Sequence, residues 1–540
     1  MSVTRRFNVR TPMRDGAELY SDLTLPAELP APALIARTPY GKSKQAASDL
    51  GTAWASSGYV FIAQDVRGRG DSDGEWTPYV NDGCDGADTI AWAAEQEWCT
   101  GDVATIGGSY GGRIQFLTAL EQPAALRAMI ALVAPSDPFV ENPTGLPSPM
   151  QIHWFRHVDA RMPQYTEVVE WERLYAHLPL VDLDSVAGFE SPLWRARLSR
   201  QTLDDYHRAL CYQTRMAEIR IPVLHVSGWY DDEEIGTPLN YSLLAAHAPG
   251  QRLLMGPWGH AVNTSRQLGE VDFGPDALID MQAYQSRWLD HHVKGVDNGE
   301  DAAAPVRIFV MGVNEWRDEA QWPPASTVET TYFLRSDGRA NSRFGDGTLA
   351  VEEAGEEPPD RWTHDPARPV PFITNESSAQ IGGPDDYAAI ETRSDVLVYT
   401  TAELTEAMEV IGPVSLVAHV TTSGADTDVT AKLLDVHPNG FAQRLCDGVV
   451  RLRYRDGMTQ ALPVEPGTCY EVTVVMWDTA HVFAPGHAIR LEVSSSAFPK
   501  YARNLGTAGD QTTLAEGVIA QNEMWHTADR PSRLLLRRSS

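Results

Sequence analysis

The sequence predicts an α/β fold, a mostly parallel sheet covered by helices on both faces, followed by a separate all-β unit. Three observations predict it. Short, continuous apolar runs recur through the first 260 residues with helix-length amphipathic stretches between them, and strands that read this way are buried on both faces, as in parallel sheets. One of the runs leads into Gly107-Gly108-Ser109-Tyr110-Gly111-Gly112 and then into a segment of helical period. Past about residue 325 the apolar period falls to two, the spacing of half-buried strands.

Taken in order, Ala33 to Ala36 and Tyr59 to Ala63 are strand-like runs that end in Arg37-Thr38-Pro39-Tyr40 and Gln64-Asp65. Asp85 to Gln96 reads as an amphipathic helix, and Val103 to Ile106, Met129 to Val133, Ile221 to Val226 and Arg252 to Met255 as further strands. After Ser109 the helical period places Ile114, Leu117 and Leu120 on one face. Between Pro135 and Ile221 the alternation breaks, leaving charged and aromatic helical segments with Trp154, Phe155, Trp171 and Trp194. That is the pattern of an inserted helical cap, which would sit over the carboxyl ends of the strands, where open α/β sheets bind ligands.

In the last part Val414, Leu416, Ala418 and Val420 alternate with Ser415, Val417, His419 and Thr421, and Val429, Ala431 and Leu433 follow before the turn signal Pro438-Asn439-Gly440. Val472 to Met476 and Ala488 to Val493 continue the pattern, which reads as a β-sandwich or jelly roll. Glu352 to Pro371, rich in Glu, Pro and Asp, reads as a surface loop. The expected division is a discontinuous core at 1–138 and 220–327, a helical cap at 139–219 and a β jelly roll at 328–540.

A chain of 540 residues exceeds a single core, so two or three domains are expected. No apolar run is long enough to span a bilayer, and Met1-Ser2-Val3-Thr4-Arg5-Arg6 lacks the apolar stretch of a signal peptide. Cys84, Cys99, Cys211, Cys446 and Cys469 are odd in number, scattered and without CxxC spacing; reduced thiols and a cytoplasmic location follow as expectations. The 44 basic and 73 acidic side chains leave a net charge of −29, which repels polyanions and argues against nucleic acid as a partner. No membrane partner is expected, and a homo-oligomer is left open.

The chemistry starts at Ser109. A serine flanked by glycines on a sharp strand-to-helix turn is a nucleophile elbow, and the helix that follows aims backbone N–H groups and a partial positive charge at an oxyanion. An alkoxide nucleophile needs a base and an acid that orients the base; in α/β-hydrolases they follow in the order Ser, acid, His. The run Ile221 to Val226 ends in Ser227-Gly228-Trp229-Tyr230-Asp231-Asp232, and Arg252 to Met255 ends in Gly256-Pro257-Trp258-Gly259-His260. A carboxylate and an imidazole therefore stand at the carboxyl ends of two neighbouring strands, on the same sheet edge as Ser109.

These segments, with Arg37-Thr38-Pro39-Tyr40 and Arg67-Gly68-Arg69-Gly70-Asp71-Ser72 followed by Gly74, resemble the cocaine-esterase-like and Xaa-Pro dipeptidyl-peptidase-like α/β-hydrolases over nearly the whole chain. The resemblance implies an α/β-hydrolase core, an inserted helical cap and a carboxyl-terminal jelly roll. It implies Ser109 as nucleophile, His260 as general base and acid, Asp231 as the orienting carboxylate, and an oxyanion hole formed by the backbone N–H of Tyr110 and the phenol of Tyr40. Trp154, Phe155, Trp229 and Tyr230 either line an acyl pocket or pack the cap on the core.

Other signals carry less. His153 and His157 have i, i+4 spacing but no following Glu and no third ligand. Asp71-Ser72-Asp73-Gly74-Glu75 lacks the glycine position of an EF-hand, Gly68, Gly70 and Gly74 miss dinucleotide-binding spacing by a residue, and Arg69-Gly70-Asp71 has adhesive meaning only outside the cell. No metal or organic cofactor is implied. The expected reaction is cleavage of a small-molecule carboxylic ester through an acyl-enzyme. The alternatives are amide or peptide hydrolysis of the Xaa-Pro dipeptidyl-peptidase or β-lactam acylase type, acyl transfer, or a catalytically silent carbohydrate-binding protein. Recognition of an α-amino group would want carboxylates near the nucleophile; Tyr110, Gly111, Gly112 and Arg113 supply none, which leaves cap acids such as Asp159 or Glu170.

Overall fold

The computed structural model describes residues 3–47, 49–138, 145–167, 169–231, 235–353, 355–374 and 382–539, without the side chains of 45–49. Its first sheet has ten strands in the order β1-β2-β4-β3-β5-β6-β7-β8-β11-β12. The strands are β1 Thr4–Pro12, β2 Glu18–Leu25, β3 Ala31–Thr38, β4 Val60–Asp65, β5 Cys99–Gly108, β6 Leu126–Leu132, β7 Val223–Gly228 and β8 Arg252–Gly256, then a separate hairpin of β9 Gln267–Leu268 and β10 Val271–Asp272, then β11 Val306–Val310 and β12 Glu315–Glu319. From β4 through β3, β5, β6, β7 and β8 to β11 every pairing is parallel. Parallel register brings the ends of β3, β5, β6, β7 and β8 to one edge.

Burial explains which strands the sequence announces. β3 and β4 are buried at every residue, so each reads as an apolar run. The outer strand β1 is mostly exposed and β12 is largely half-buried, and both carry charges, as edge strands commonly do; with no apolar run to mark them, these two strands are not apparent in the sequence. The helix Tyr110–Leu120 forms as expected, and it is buried at all eleven positions, beyond the face of Ile114, Leu117 and Leu120. The helix runs beneath the centre of the sheet and packs against the helix Asp82–Ala94, and a helix enclosed on all sides has no polar face to show.

Between β6 and β7 the described residues form short helices at Gln151–His157, Trp171–Tyr175, Leu183–Val186, Pro192–Ser199 and Asp205–Leu210 and no strand. They close on their own core of Ile152, Phe155, Leu180, Leu183, Trp194 and Leu198. The expected start of this cap, residue 139, lies outside the described residues.

From Thr327 to Ser539 an eleven-stranded sheet follows. Val414, Leu416, Ala418 and Val420 point into its core with Val429, Ala431 and Leu433, as their alternation requires. Pro438-Asn439-Gly440 closes the hairpin of Asp428–Val436 and Ala442–Arg451, with Gly440 at φ 90°. One expectation is corrected here: the Glu- and Pro-rich stretch 352–371 holds a strand, Asp360–His364, with Asp360, Trp362 and His364 buried and Arg361 and Thr363 exposed. Its period-two pattern runs through polar residues, which hides it from a reading based on apolar character.

The two sheets meet through backbone and side chains. Met311 N–H donates to Ala480 O at 2.9 Å and Val482 N–H to Met311 O at 2.9 Å. Around this contact Trp229, Tyr230, Phe309, Trp322, Ile411 and Ala480 share one apolar cluster.

Candidate active site

Ser109 follows the last residue of β5 and takes φ 56° and ψ −125°, a backbone conformation that L-residues hold only when the surroundings enforce it, at about 1–3 kcal/mol. Its N–H donates to Leu132 O at 3.0 Å, and its carbonyl accepts from Gly112 N at 2.8 Å and Arg113 N at 3.0 Å. A Cβ on Gly107 would lie 2.7 Å from Gly111 O, and one on Gly112 2.7 Å from Leu132 O, so the glycines are required by the closeness of the turn. Ser109 is half-buried and stands at the amino end of an eleven-residue helix, where the first N–H groups have no intrahelical acceptor.

Tyr110 opens that helix, and its phenol is held on the far side. The hydroxyl donates to Asp82 Oδ2 at 2.5 Å and accepts from Trp76 Nε1 and Tyr79 N, each at 3.1 Å, while the ring stacks on Tyr79 at 4.5 Å. Burial and the Asp82 carboxylate push the phenol well above its ordinary pKa. The phenol of Tyr110 is thus engaged with Asp82, Trp76 and Tyr79, which leaves its backbone N–H, in the first turn of the helix, as the group expected to serve the oxyanion.

The acid and the imidazole are brought together by two stitched loops. Trp229 N–H donates to Gly256 O at 2.9 Å and Tyr230 N–H to Trp258 O at 3.0 Å, and a Cβ on Gly228 would lie 2.2 Å from Trp258 O. Asp231 is thereby placed with its carboxylate buried, Oδ1 accepting from His260 Nδ1 at 2.7 Å and Oδ2 from Ser227 Oγ at 2.7 Å. The His260 side chain keeps 21% of its exposure. Ser227 has no role marked by its motif; its one signal in the sequence is its place on β7, four residues before the acid. Asp232 lies outside the described residues.

Tyr40 stands just past β3. Its phenol oxygen accepts the Trp154 indole N–H at 2.9 Å, and Trp154 packs with Tyr40, Trp76, Tyr79 and Tyr110. The cap is pinned at this point by the segment 67–74. Arg69, almost wholly buried, donates to Pro39 O and Val158 O at 2.8 Å each and also to Ala160 O, and Gly70 N–H donates to Arg161 O at 2.9 Å. A Cβ on Gly70 would lie 2.1 Å from Asp65 Oδ2, which fixes the glycine there.

The other expected pocket residues divide. Trp229 is buried, with its indole N–H on Phe309 O of β11 at 2.7 Å, and Tyr230 is buried, with its hydroxyl on Arg444 O of the second sheet at 3.1 Å; both rings join the apolar cluster where the two sheets meet, a packing position between sheets where the sequence left pocket lining or cap packing open. Phe155 lies in the cap's core, edge-on to Trp194, a packing position as well. Trp154 touches Tyr40, the phenol expected in the oxyanion hole. Asp159 pairs with Arg156 at 3.5 Å, and Glu170, with Arg173, is exposed. His153 lies edge-on to Trp171, and His157 Nδ1 faces Gln164 O at 3.2 Å.

Comparison with known proteins gives two matching family profiles, the X-Pro dipeptidyl-peptidase (S15 family) over residues 15–262 and the X-Pro dipeptidyl-peptidase C-terminal non-catalytic domain over residues 298–535. A cocaine esterase from Rhodococcus sp. is 35% identical, the match covering 98% of this chain and 97% of that one. An aminopeptidase structure from a marine sediment archaeon superposes with a TM-score of 0.87 at 25% identity, covering 100% of this chain and 97% of the other. An α-amino acid ester hydrolase superposes with a TM-score of 0.86 at 23% identity, covering 99% and 96%, a likeness of fold.

Proposed function

Because this chain belongs to the cocaine-esterase-like and X-Pro dipeptidyl-peptidase-like family of α/β-hydrolases, and is a serine ester hydrolase, we propose that Ser109, His260 and Asp231 are its nucleophile, base and orienting acid. The observation that carries the assignment is the 2.7 Å bond from His260 Nδ1 to the buried Asp231 carboxylate, on the sheet edge that also carries the strained Ser109 turn. With its Nδ1–H held by Asp231, the imidazole presents Nε2 as the proton acceptor. The Ser109 Oγ–H proton passes to Nε2 as Oγ attacks the ester carbonyl. The carbonyl oxygen becomes an oxyanion that accepts from Tyr110 N–H and the Tyr40 phenol. Collapse of this intermediate breaks the ester C–O bond, and the departing alkoxide takes the proton from His260. Water, deprotonated by the same nitrogen, then attacks the acyl carbon; the acyl C–Oγ bond breaks, Ser109 Oγ takes the proton back from His260, and the acid is released.

The Trp154 indole supports the role of Tyr40, since a phenol that accepts on its oxygen still donates its own O–H and does so more strongly. The division at 1–138 with 220–327, 139–219 and 328–540 is supported by strand membership, the second sheet beginning at Thr327. No described helix is long and apolar enough to cross a membrane, and the described cysteines are unbridged, which supports a reducing, cytoplasmic setting. Peptide hydrolysis is less favoured, because the cap acids Asp159 and Glu170 are paired with arginines of their own segment.

The test compares initial rates on p-nitrophenyl acetate, p-nitrophenyl octanoate and Ala-Pro-p-nitroanilide, with Ser109→Ala alongside. Turnover of the esters, lost in the variant, is the expected result. Preference for the anilide would overturn the ester assignment, and undiminished activity of Ser109→Ala would overturn the nucleophile.

A further inference from the structure

In the second sheet, remote in sequence from Ser109, one buried carboxylate is ringed by three histidines. Asp435 is the penultimate residue of the strand Asp428–Val436, and His437 follows that strand; His487 precedes the strand Ala488–Ser494. These strands are antiparallel neighbours with Val436 opposite Ala488, so the register sets His437 against His487 although 50 residues separate them in the chain. Their ring centroids are 4.3 Å apart. His487 Nδ1 lies 2.8 Å from Asp435 Oδ1 and 3.0 Å from Oδ2, and His437 Nε2 lies 3.6 Å from Oδ2. One donor atom from each of Asp435, His437 and His487 falls within 4.8 Å of the other two.

A fourth residue completes the arrangement. His481 Nε2 is 2.9 Å from Asp435 Oδ2, and the ring is buried with Nδ1 lacking any hydrogen-bond partner among the described residues. A buried N–H without an acceptor is unfavourable, so the proton of this imidazole belongs on Nε2, where the carboxylate accepts it. A carboxylate oriented by a buried donor of this kind is the usual support of a metal-ligating oxygen. His437 and His487 keep 30% and 15% of their side-chain exposure, which leaves an approach from solvent.

We propose that Asp435, His437 and His487 bind one divalent transition-metal ion of the zinc class, with His481 as the hydrogen-bonding support of Asp435. Two imidazoles, one carboxylate and an open position match the preference of zinc and its neighbours for nitrogen donors in tetrahedral geometry. Calcium and magnesium, which take six or more oxygens, are excluded by the same donor set. Binding displaces the proton shared between His487 and Asp435 and draws His437 Nε2 away from Gln443 Oε1, which lies 3.2 Å from it. His481 also forms a parallel bridge with Met311 of the first sheet, so an ion here would brace the strand on which the two sheets meet.

The full-length, untagged protein, stripped with chelator and dialysed, is titrated with Zn²⁺ by calorimetry and with Co²⁺ by visible absorption. About one equivalent of each is expected, with the intense visible bands of a tetrahedral cobalt site, and Zn²⁺ should raise the thermal midpoint. His437→Gln and His487→Gln, on turns near the surface, should each weaken binding by about tenfold or more, and His481→Gln by about 10- to 100-fold. Circular dichroism identifies any variant that fails to fold, and the two turn variants then decide the matter. Absence of a stoichiometric site in the parent protein, or equal affinity in folded turn variants, would overturn the proposal.

Discussion

The phenol oxygen of Tyr40 accepts from Trp154 at 2.9 Å, which ties the cap to the oxyanion hole proposed above, where the phenol's own proton would be the one offered to substrate. Removing the hydroxyl with Tyr40→Phe should lower kcat by about 100-fold or more, since one oxyanion donor is worth about 2.7–4 kcal/mol. Removing only the indole donor with Trp154→Phe should lower kcat by about 2- to 10-fold, the worth of one ordinary hydrogen bond. Steady-state kinetics on a p-nitrophenyl ester measure both, and an unchanged kcat in Tyr40→Phe excludes the phenol from the hole. Of these residues Ser109, Asp231 and His260 are legible in the sequence, because each sits within a few positions of a buried strand's end. The contact of Trp154 with Tyr40 is not, because it depends on how the cap is set over the sheet.

Among the elements, the loops after β7 and β8 form one unit. Gly228→Ala should drive a methyl group against Trp258 O, 2.2 Å from the ideal Cβ position, and destabilise the protein by about 1–3 kcal/mol; denaturant unfolding reads the loss, and ester turnover should fall with the displaced Asp231. The segment 67–74 is the second such unit. Arg69→Ala removes the donors to Pro39, Val158 and Ala160, and should lower kcat/KM by about 10- to 100-fold through misplacement of the cap. Limited proteolysis should then cut the cap faster than in the parent protein. The apolar runs revealed the inner strands, whereas β1, β12 and Asp360–His364 carry polar residues whose pairing partners lie far away in the chain.

At the scale of the whole molecule, the contact between the two sheets contains a carboxyl group with a shifted ionisation. Burial raises the Asp478 carboxyl from 3.8 to about 6, against the opposing effect of the Trp322 indole, which donates to it at 2.9 Å. A carboxyl whose pKa is raised in the folded state holds its proton more tightly there than in the unfolded chain. The stability this contributes is complete below the unfolded value and is lost as pH rises through about 6. Asp478→Asn, which keeps an acceptor for Trp322 and cannot ionise, should therefore gain in thermal midpoint relative to the parent between about pH 4 and pH 7. A constant difference across that range would place the ionisation elsewhere.

The sequence by itself determined the strand–elbow–helix at Ser109, the order of acid and imidazole behind it, and the change from helical to strand period near residue 325, because each is a local pattern set by backbone geometry and burial. Only the tertiary structure decided that Trp229 and Tyr230 serve the contact between sheets, that Trp154 reaches Tyr40, and that His437 and His487 converge on Asp435. Those arrangements follow from strand register and the docking of whole elements, which bring together residues tens to hundreds of positions apart whose local patterns carry no trace of one another.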